Sequence, residues 1–161
     1  MITPLYFIAL KDYRDSTLAE FSEILKKLEK KPVGEVTVSE LCAMTEYPNG
    51  LYLFYDTDNE LWYVGKSTSR SFIERIPSHF DQRENAWFNT LPKRIMVISK
   101  IEKYNDAHAL GLSLRLVLIG IQSKETALKL ERVLRSYLEP QLNTEKRSKY
   151  TGSEQLLQYE T

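Results

Sequence analysis

The chain of 161 residues has a single cysteine, Cys42, and this scarcity limits its chemistry. One thiol cannot build an internal disulfide framework or a zinc site with several cysteines. We expect Cys42 to be a small core residue rather than a reactive thiol. No apolar run approaches the ~20 residues of a membrane-spanning helix, and the start Met1–Pro4 lacks the basic residues of a signal peptide. The composition therefore predicts a cytoplasmic protein with no membrane partner.

Glycine is also scarce, and no glycine-rich loop of the kind that binds phosphates occurs among the six glycines. The sequence has no Ser-His-Asp order and no cofactor motif, which argues against a small-molecule enzyme and predicts no small-molecule cofactor. Nothing repeats, and no segment is of low complexity. The length predicts one domain, or a small domain with an extension, that can bury a real core.

Net charge is zero, but the charge is unevenly distributed along the chain. Residues 1–61 carry six Lys or Arg and eleven Asp or Glu, whereas residues 62–161 carry sixteen and eleven. A basic half predicts contact with a phosphate backbone, although ordinary charge alternation on a solvated surface is the alternative. The cations expected to contact phosphates are Lys66, Arg70, Arg75, Arg83, Lys93, Arg94, Lys100 and Lys103.

The first 48 residues predict an N-terminal extension made of a strand and a helix packed on the core. Residues 5–10 form an apolar run typical of a buried strand. Thr17 and Glu20 have the spacing of a capping box, and apolar residues follow at helical spacing. Ser39 is expected to cap a short helix that runs through Met44.

The rest of the chain predicts an α/β (α+β) fold with a small, mainly antiparallel sheet flanked by helices. Residues 51–55 and 61–64 alternate around the turn-forming Asp56–Asn59 and predict a β-hairpin. Further strands are expected over 94–99 and 114–119, and helices over 72–80, 84–89 and 124–138. Residues 49–145 would form the core domain, and residues 146–161 a frayed C-terminal tail.

Several short motifs occur in a fixed order and together resemble the GIY-YIG nuclease family, most closely its UvrC-like N-terminal nuclease domains. They are Gly50-Leu51-Tyr52, Tyr63-Val64-Gly65-Lys66, Arg75-Ile76-Pro77-Ser78-His79-Phe80, Glu131 and Pro140-Gln141-Leu142-Asn143. The segment 67–74 is about two residues longer than in that pattern, so Arg70 competes with Arg75 as the catalytic arginine. Pro77 predicts a kink or a late start in the helix that carries Arg75.

The resemblance implies a metal-dependent DNA endonuclease that hydrolyses phosphodiester bonds by a one-metal mechanism. Glu131 would bind Mg²⁺ or Mn²⁺, and Arg75 would hold a phosphate oxygen. The other implied catalytic residues are Tyr52, Tyr63, Lys66 and His79, and Asn143 would orient a phosphate or a water. DNA is the expected partner, with a homodimer as a further possibility. The alternative is a module that binds DNA or assembles with other proteins and has lost catalysis.

The position of Glu131 on the predicted helix is unusual for a carboxylate. Ala127, Leu128 and Leu134 lie on the same helix face, so its side chain emerges along an apolar stripe. Burial without a compensating charge is expensive. Either a divalent cation or a structural ion pair with Arg135, four residues on, would supply that charge.

Two types of residue, tyrosine and histidine, are candidates for the general base. A phenol titrates near ~10, so Tyr52 or Tyr63 would need its pKa lowered by about three units. His79, expected to be unperturbed near ~6.5, would accept a proton without such help. We assign Tyr52 as the base and His79 as the alternative. His108, in the loop-like segment 105–108, is expected to be a surface residue.

Overall fold

A mostly antiparallel sheet of five strands forms the centre of the computed structural model, which describes residues 3–43, 46–83, 90–143 and 150–160. The strands are β1 (Phe7–Ala9), β2 (Lys31–Pro32), β3 (Asn49–Tyr55), β4 (Leu61–Ser67) and β5 (Arg115–Ile121). The order is β1-β5-β3-β4, with β2 also paired to β5. Only β1 runs parallel to its neighbour among these pairs. The predicted α+β class is confirmed.

Helices cover both faces of this sheet. They are α1 (Leu18–Lys27), α2 (Val38–Cys42), α3 (Phe72–Ser78), α4 (Leu91–Ser99), α5 (Tyr104–Ser113) and α6 (Lys124–Leu138). Thr17 caps α1 as predicted, since its side chain accepts a hydrogen bond from the backbone N–H of Glu20. In the described part of the chain, no helix combines the length and the apolar character needed to cross a bilayer.

The central strand β3 is buried over its whole length and separates two hydrophobic clusters. Leu51, Leu53 and Tyr55 pack with α1 and α6 on one face. Tyr52 and Phe54 point to the other face, where residues of α3, α4 and α5 cover them. This division follows from the alternation of side chains along a strand. The predicted hairpin is confirmed.

The strand predicted over 94–99 is wrong, because these residues belong to α4. Pro92 lies in the first turn of that helix, where its missing N–H has no intrahelical partner to lose. Leu91 and Ile95, four residues apart, bury one face of the helix. Val97 and Ile98 remain exposed, and their apolar character produced the strand-like run.

Three smaller predictions also need correction. Thr37 rather than Ser39 caps α2, through a complete capping box with Glu40. Cys42 is exposed and is not a core residue. The segment 105–108 is helical within α5. The helix predicted over 84–89 lies outside the described residues.

Helix α3 begins at Phe72, so the predicted late start is wrong. Pro77 is its next-to-last residue, where the loss of one helical donor affects only the final turn. His79 follows as the C-terminal cap, with its backbone N–H bonded to the carbonyl of Ile76. The side chains of Arg75 and His79 are therefore both held by the last turn of α3.

Both ends of the chain are joined to the sheet or to the helices around it. Residues 1–48 contribute β1 and β2, which pair with β5. Residues 150–160 pack against α1 instead of fraying: Leu156 is buried, and the N–H of Leu18 donates to the carbonyl of Glu154. The predicted tail therefore supplies part of one hydrophobic cluster.

Gly65 provides the space in which the Tyr52 side chain lies. The two residues are directly paired across β3 and β4. A Cβ atom at position 65 would overlap the phenol ring of Tyr52, including its hydroxyl oxygen. Glycine is thus required at position 65, because the Tyr52 side chain approaches β4 closely there.

We expect Gly65→Ala to destabilise the fold by about 1–3 kcal/mol, because the new methyl group overpacks against the Tyr52 ring. Chemical denaturation measures the change in free energy of unfolding. The matched control is the same substitution in a Tyr52→Leu background, where the shorter side chain leaves room and the added cost should be small. An equal cost in both backgrounds would contradict the assigned contact.

Candidate active site

Tyr52 and His79 form a buried hydrogen-bonded pair beneath α3. The phenol oxygen of Tyr52 lies 2.6 Å from Nε2 of His79. Tyr52 is fully buried and His79 is 5% exposed. The neighbouring Tyr63 ring lies 5.3 Å from the imidazole, centroid to centroid, and Phe54 completes the aromatic surroundings. Three residues predicted to be catalytic therefore meet in one aromatic cluster.

Burial keeps both members of this pair neutral. It lowers the pKa of His79 to about 3, with further lowering by the guanidinium groups of Arg75 and Arg94. Burial also raises the pKa of Tyr52 well above its ordinary value, and the nearby Tyr63 and Glu131 add to the increase. Arg75 opposes the increase but does not overcome it. The prediction of an unperturbed His79 near ~6.5 is wrong, because desolvation disfavours the imidazolium.

Glu131 lies in the middle of α6 with only 7% of its side chain exposed. Its Oε1 accepts a hydrogen bond from Nη1 of Arg135 at 2.7 Å. Its Oε2 lies 3.5 Å from Nζ of Lys66, whose side chain is 46% exposed. The ion pair with Arg135 that the sequence offered is therefore formed. Such pairing is what a buried carboxylate requires.

Glu131 would serve a divalent cation as a single carboxylate ligand. The described ranges hold no group of three or more His, Cys, Asp or Glu residues able to bind a metal ion. Mg²⁺ commonly takes one or two protein carboxylates and completes its shell with waters and substrate phosphates. The contact from Oε2 to the exposed Lys66 is the longer of the two, so an ion at Oε2 would have to replace it.

A cationic groove opens beside this carboxylate. It has a volume of about 300 Å³ and is lined by Lys66, Ser67, Thr68, Ser69, Arg70 and Arg75. Arg75 is half-buried and acts on Tyr52 and His79, whereas Arg70 is exposed. The two arginines that competed in the sequence thus share one groove, with Arg75 on its inner side. The hydroxyl-bearing residues 67–69 were missed, although a polar run directly after a strand is a signal for a binding loop.

The structure gives Asn143 a role different from the predicted one. Its Oδ1 accepts from the N–H of Val64 at 2.9 Å, and its Nδ2 donates to the carbonyl of Val64 at 3.2 Å. The backbone N–H of Leu142 also bonds to the carbonyl of Trp62. Asn143 thus holds the chain after α6 along the outer edge of β4. Both ends of its amide are used, so we no longer assign it to phosphate or water.

The outer predicted cations have different surroundings. Arg83 is paired with Asp81 through a bond of 2.6 Å and is strongly exposed. Lys93 is exposed on α4. The guanidinium carbon of Arg94 lies 5.5 Å from the centroid of the Tyr63 ring, which places α4 next to the aromatic cluster. His108 is half-buried, with Nε2 3.0 Å from the carbonyl oxygen of Phe80.

Comparisons with protein-family models, curated proteins and solved structures found no match to this chain. The resemblance to the GIY-YIG family stays a prediction that depends on the motifs and on their placement. That placement puts Tyr52, Tyr63 and His79 in one aromatic cluster and pairs Lys66 with Glu131. Lys66 and Arg75 line the groove.

The buried, neutral His79 predicts a pH-dependent stability. Its pKa is about 3 in the folded chain and near the ordinary 6.5 when unfolded, so the unfolded state binds more protons between these values. The free energy of unfolding should therefore fall as pH drops below ~6.5, with a slope approaching about 1.4 kcal/mol per pH unit. Urea denaturation between pH 5 and pH 7 measures it.

The matched substitution uses the second histidine of the chain. His79→Gln should remove most of this slope, whereas His108→Gln should keep it. A slope that survives His79→Gln would assign the proton uptake to another group.

Proposed function

We propose that this protein is a metal-dependent DNA endonuclease of the GIY-YIG type, which hydrolyses phosphodiester bonds in DNA. The observation that carries the proposal is the convergence of Tyr52, Arg75 and Glu131. These residues come from β3, α3 and α6, yet Arg75 and Glu131 both act electrostatically on the Tyr52 phenol. A carboxylate, an arginine and a proton-carrying group around a cationic groove are what phosphodiester hydrolysis needs.

In this proposal, Arg75, Lys66 and Arg70 of the groove bind one phosphate together. Arg75 donates to a non-bridging oxygen through its planar guanidinium, and Lys66 and Arg70 hold the flanking charge. Glu131 would hold Mg²⁺ or Mn²⁺, and the ion would stabilise charge on the phosphate oxygens as a Lewis acid. Release of the Lys66 contact frees Oε2 for this role, because Arg135 still neutralises the other oxygen.

Tyr52 remains our assignment for the base, in partnership with His79. The phenol oxygen takes a proton from the attacking water, and the phenol proton passes to Nε2 of His79. This exchange avoids a free tyrosinate in a buried site, where its formation is disfavoured. The phosphate in the groove supplies negative charge that stabilises the resulting imidazolium.

An inactive DNA-binding or assembly module is the second proposal, and one observation favours it. Both oxygens of Glu131 already face a cation, Arg135 on one side and Lys66 on the other. A structural ion pair of this kind needs no metal. Cleavage of supercoiled plasmid by the wild-type protein and by Glu131→Gln separates the two proposals. For either one we propose DNA as the partner, a homodimer as one possible assembly and the cytoplasm as the compartment.

Glu131→Gln should abolish Mg²⁺- or Mn²⁺-dependent cleavage of supercoiled plasmid while leaving DNA affinity nearly unchanged, because only the charged ligand is lost. Gel analysis of nicked and linear products measures cleavage. The matched control is Glu125→Gln, which removes an exposed carboxylate from the same helix and should cut at the wild-type rate. A wild-type protein that binds DNA but never cleaves it would favour the inactive module.

Arg75→Ala should lower the single-turnover cleavage rate by at least ~10²-fold, the scale of losing one donor to transition-state charge. Arg70→Ala, at the exposed side of the groove, should mainly weaken DNA binding. Rates at saturating protein separate these effects from affinity. The opposite ranking would show that Arg70 is the arginine aligned with the phosphate.

A further inference from the structure

Helix α4 carries basic and apolar side chains together on its exposed face. Lys93 and Arg94 lie in its first half and are exposed. One turn further on, Val97 is 71% exposed and Ile98 is 50% exposed. Positions four apart lie above one another on a helix, so these four side chains form one continuous surface, which we call the α4 face. Adjacent exposed apolar residues rimmed by charges are typical of an interaction site.

The charge of the α4 face has a single sign. Residues 91–100 contain Lys93, Arg94 and Lys100 and no Asp or Glu. Lys100 follows the last helical residue, so cations bound the apolar pair at both ends of the face. This arrangement complements a polyanion that also offers an apolar surface between its charges.

The α4 face continues directly into the candidate active site. Arg94 lies over the Tyr63 ring, and Tyr63 in turn contacts His79. Arg94 also contributes to the lowered pKa of His79. A ligand lying along α4 would therefore lie next to the aromatic cluster that holds Tyr63 and His79.

We infer that the α4 face lies in the major groove of duplex DNA, with Val97 and Ile98 against the 5-methyl groups of thymine. This inference rests on the proposed nuclease function. The major groove is ~12 Å wide and admits a helix, whereas the minor groove, ~6 Å wide, does not without deformation. Thymine methyl groups are the apolar feature of the major groove, and phosphates line its edges. Lys93 and Arg94 then contact the phosphates, and Val97 and Ile98 contact the floor.

The experiment compares two duplexes that differ only in these methyl groups. One contains thymine, and the other has uracil at every thymine position. Fluorescence anisotropy without divalent metal measures affinity while preventing cleavage. The wild-type protein should bind the thymine duplex about 3- to 10-fold more tightly, and Val97→Ala/Ile98→Ala should bind both duplexes equally. Alanine favours helix formation, and both sites are exposed, so α4 should be retained.

A matched variant controls for the general loss of exposed apolar surface. Leu157→Ala alters a side chain that is 41% exposed, in the C-terminal turn that packs on the other face of the sheet. It should discriminate between the two duplexes as the wild-type protein does. Lys93→Gln should retain the discrimination but reduce the log-log salt slope by ~0.9, because one phosphate contact is lost.

The possible failures are distinguishable. Wild-type binding and cleavage without preference for thymine would overturn the major-groove inference and leave the nuclease proposal standing. Absence of both DNA binding and cleavage would overturn both. If sedimentation shows that Val97→Ala/Ile98→Ala dissociates a dimer while both duplexes bind as before, the α4 face is a contact between two copies of the chain, and the inference is wrong.

Discussion

The burial of β3 at the centre of the sheet is the constraint on which the rest of the structure depends. This strand pairs with β4 on one side and β5 on the other, and every residue from Asn49 to Tyr55 is buried. Alternation then sends one set of its side chains to each hydrophobic cluster. Burying a large apolar side chain contributes about 1.5–3 kcal/mol, so the register of this strand is strongly determined.

The same burial creates the polar chemistry of the candidate site. Because both faces of β3 are covered, water does not reach the hydroxyl of Tyr52. This hydroxyl therefore needs a hydrogen-bond partner within the protein. His79 supplies it from the end of α3, at 2.6 Å. The buried carboxylate of Glu131 is paired in the same way, with Arg135 on its own helix and with Lys66 on β4. The hydroxyl of Tyr52 and the carboxylate of Glu131 are thus both matched to polar side chains.

These matches also determine what the site is able to do. Tyr52 and His79 share a hydrogen bond, and burial keeps both of them neutral. The charged side chains lie outside the cluster. They are Lys66, which is half-exposed, and the groove arginines Arg70 and Arg75. An incoming phosphate would therefore bind to these side chains first and would change the electrostatics of the buried pair. In the proposed mechanism, Arg75 would couple substrate binding to proton transfer.

The sequence alone determined the elements whose signals are local. The hairpin followed from alternation around Asp56–Asn59, and α6 followed from an apolar stripe between Ser123 and Pro140. The motif order also selected Lys66 and Arg75, which line the groove, and Tyr52 and His79, which are bonded to each other. Tertiary structure decided the rest. Alternation could not show that Val97 and Ile98 are exposed on a helix, and spacing could not show that Asn143 is bonded to Val64. The environment of His79 depends on β3, β4 and α4, which are separate from it in the sequence, so only the folded chain determines that its imidazole is neutral.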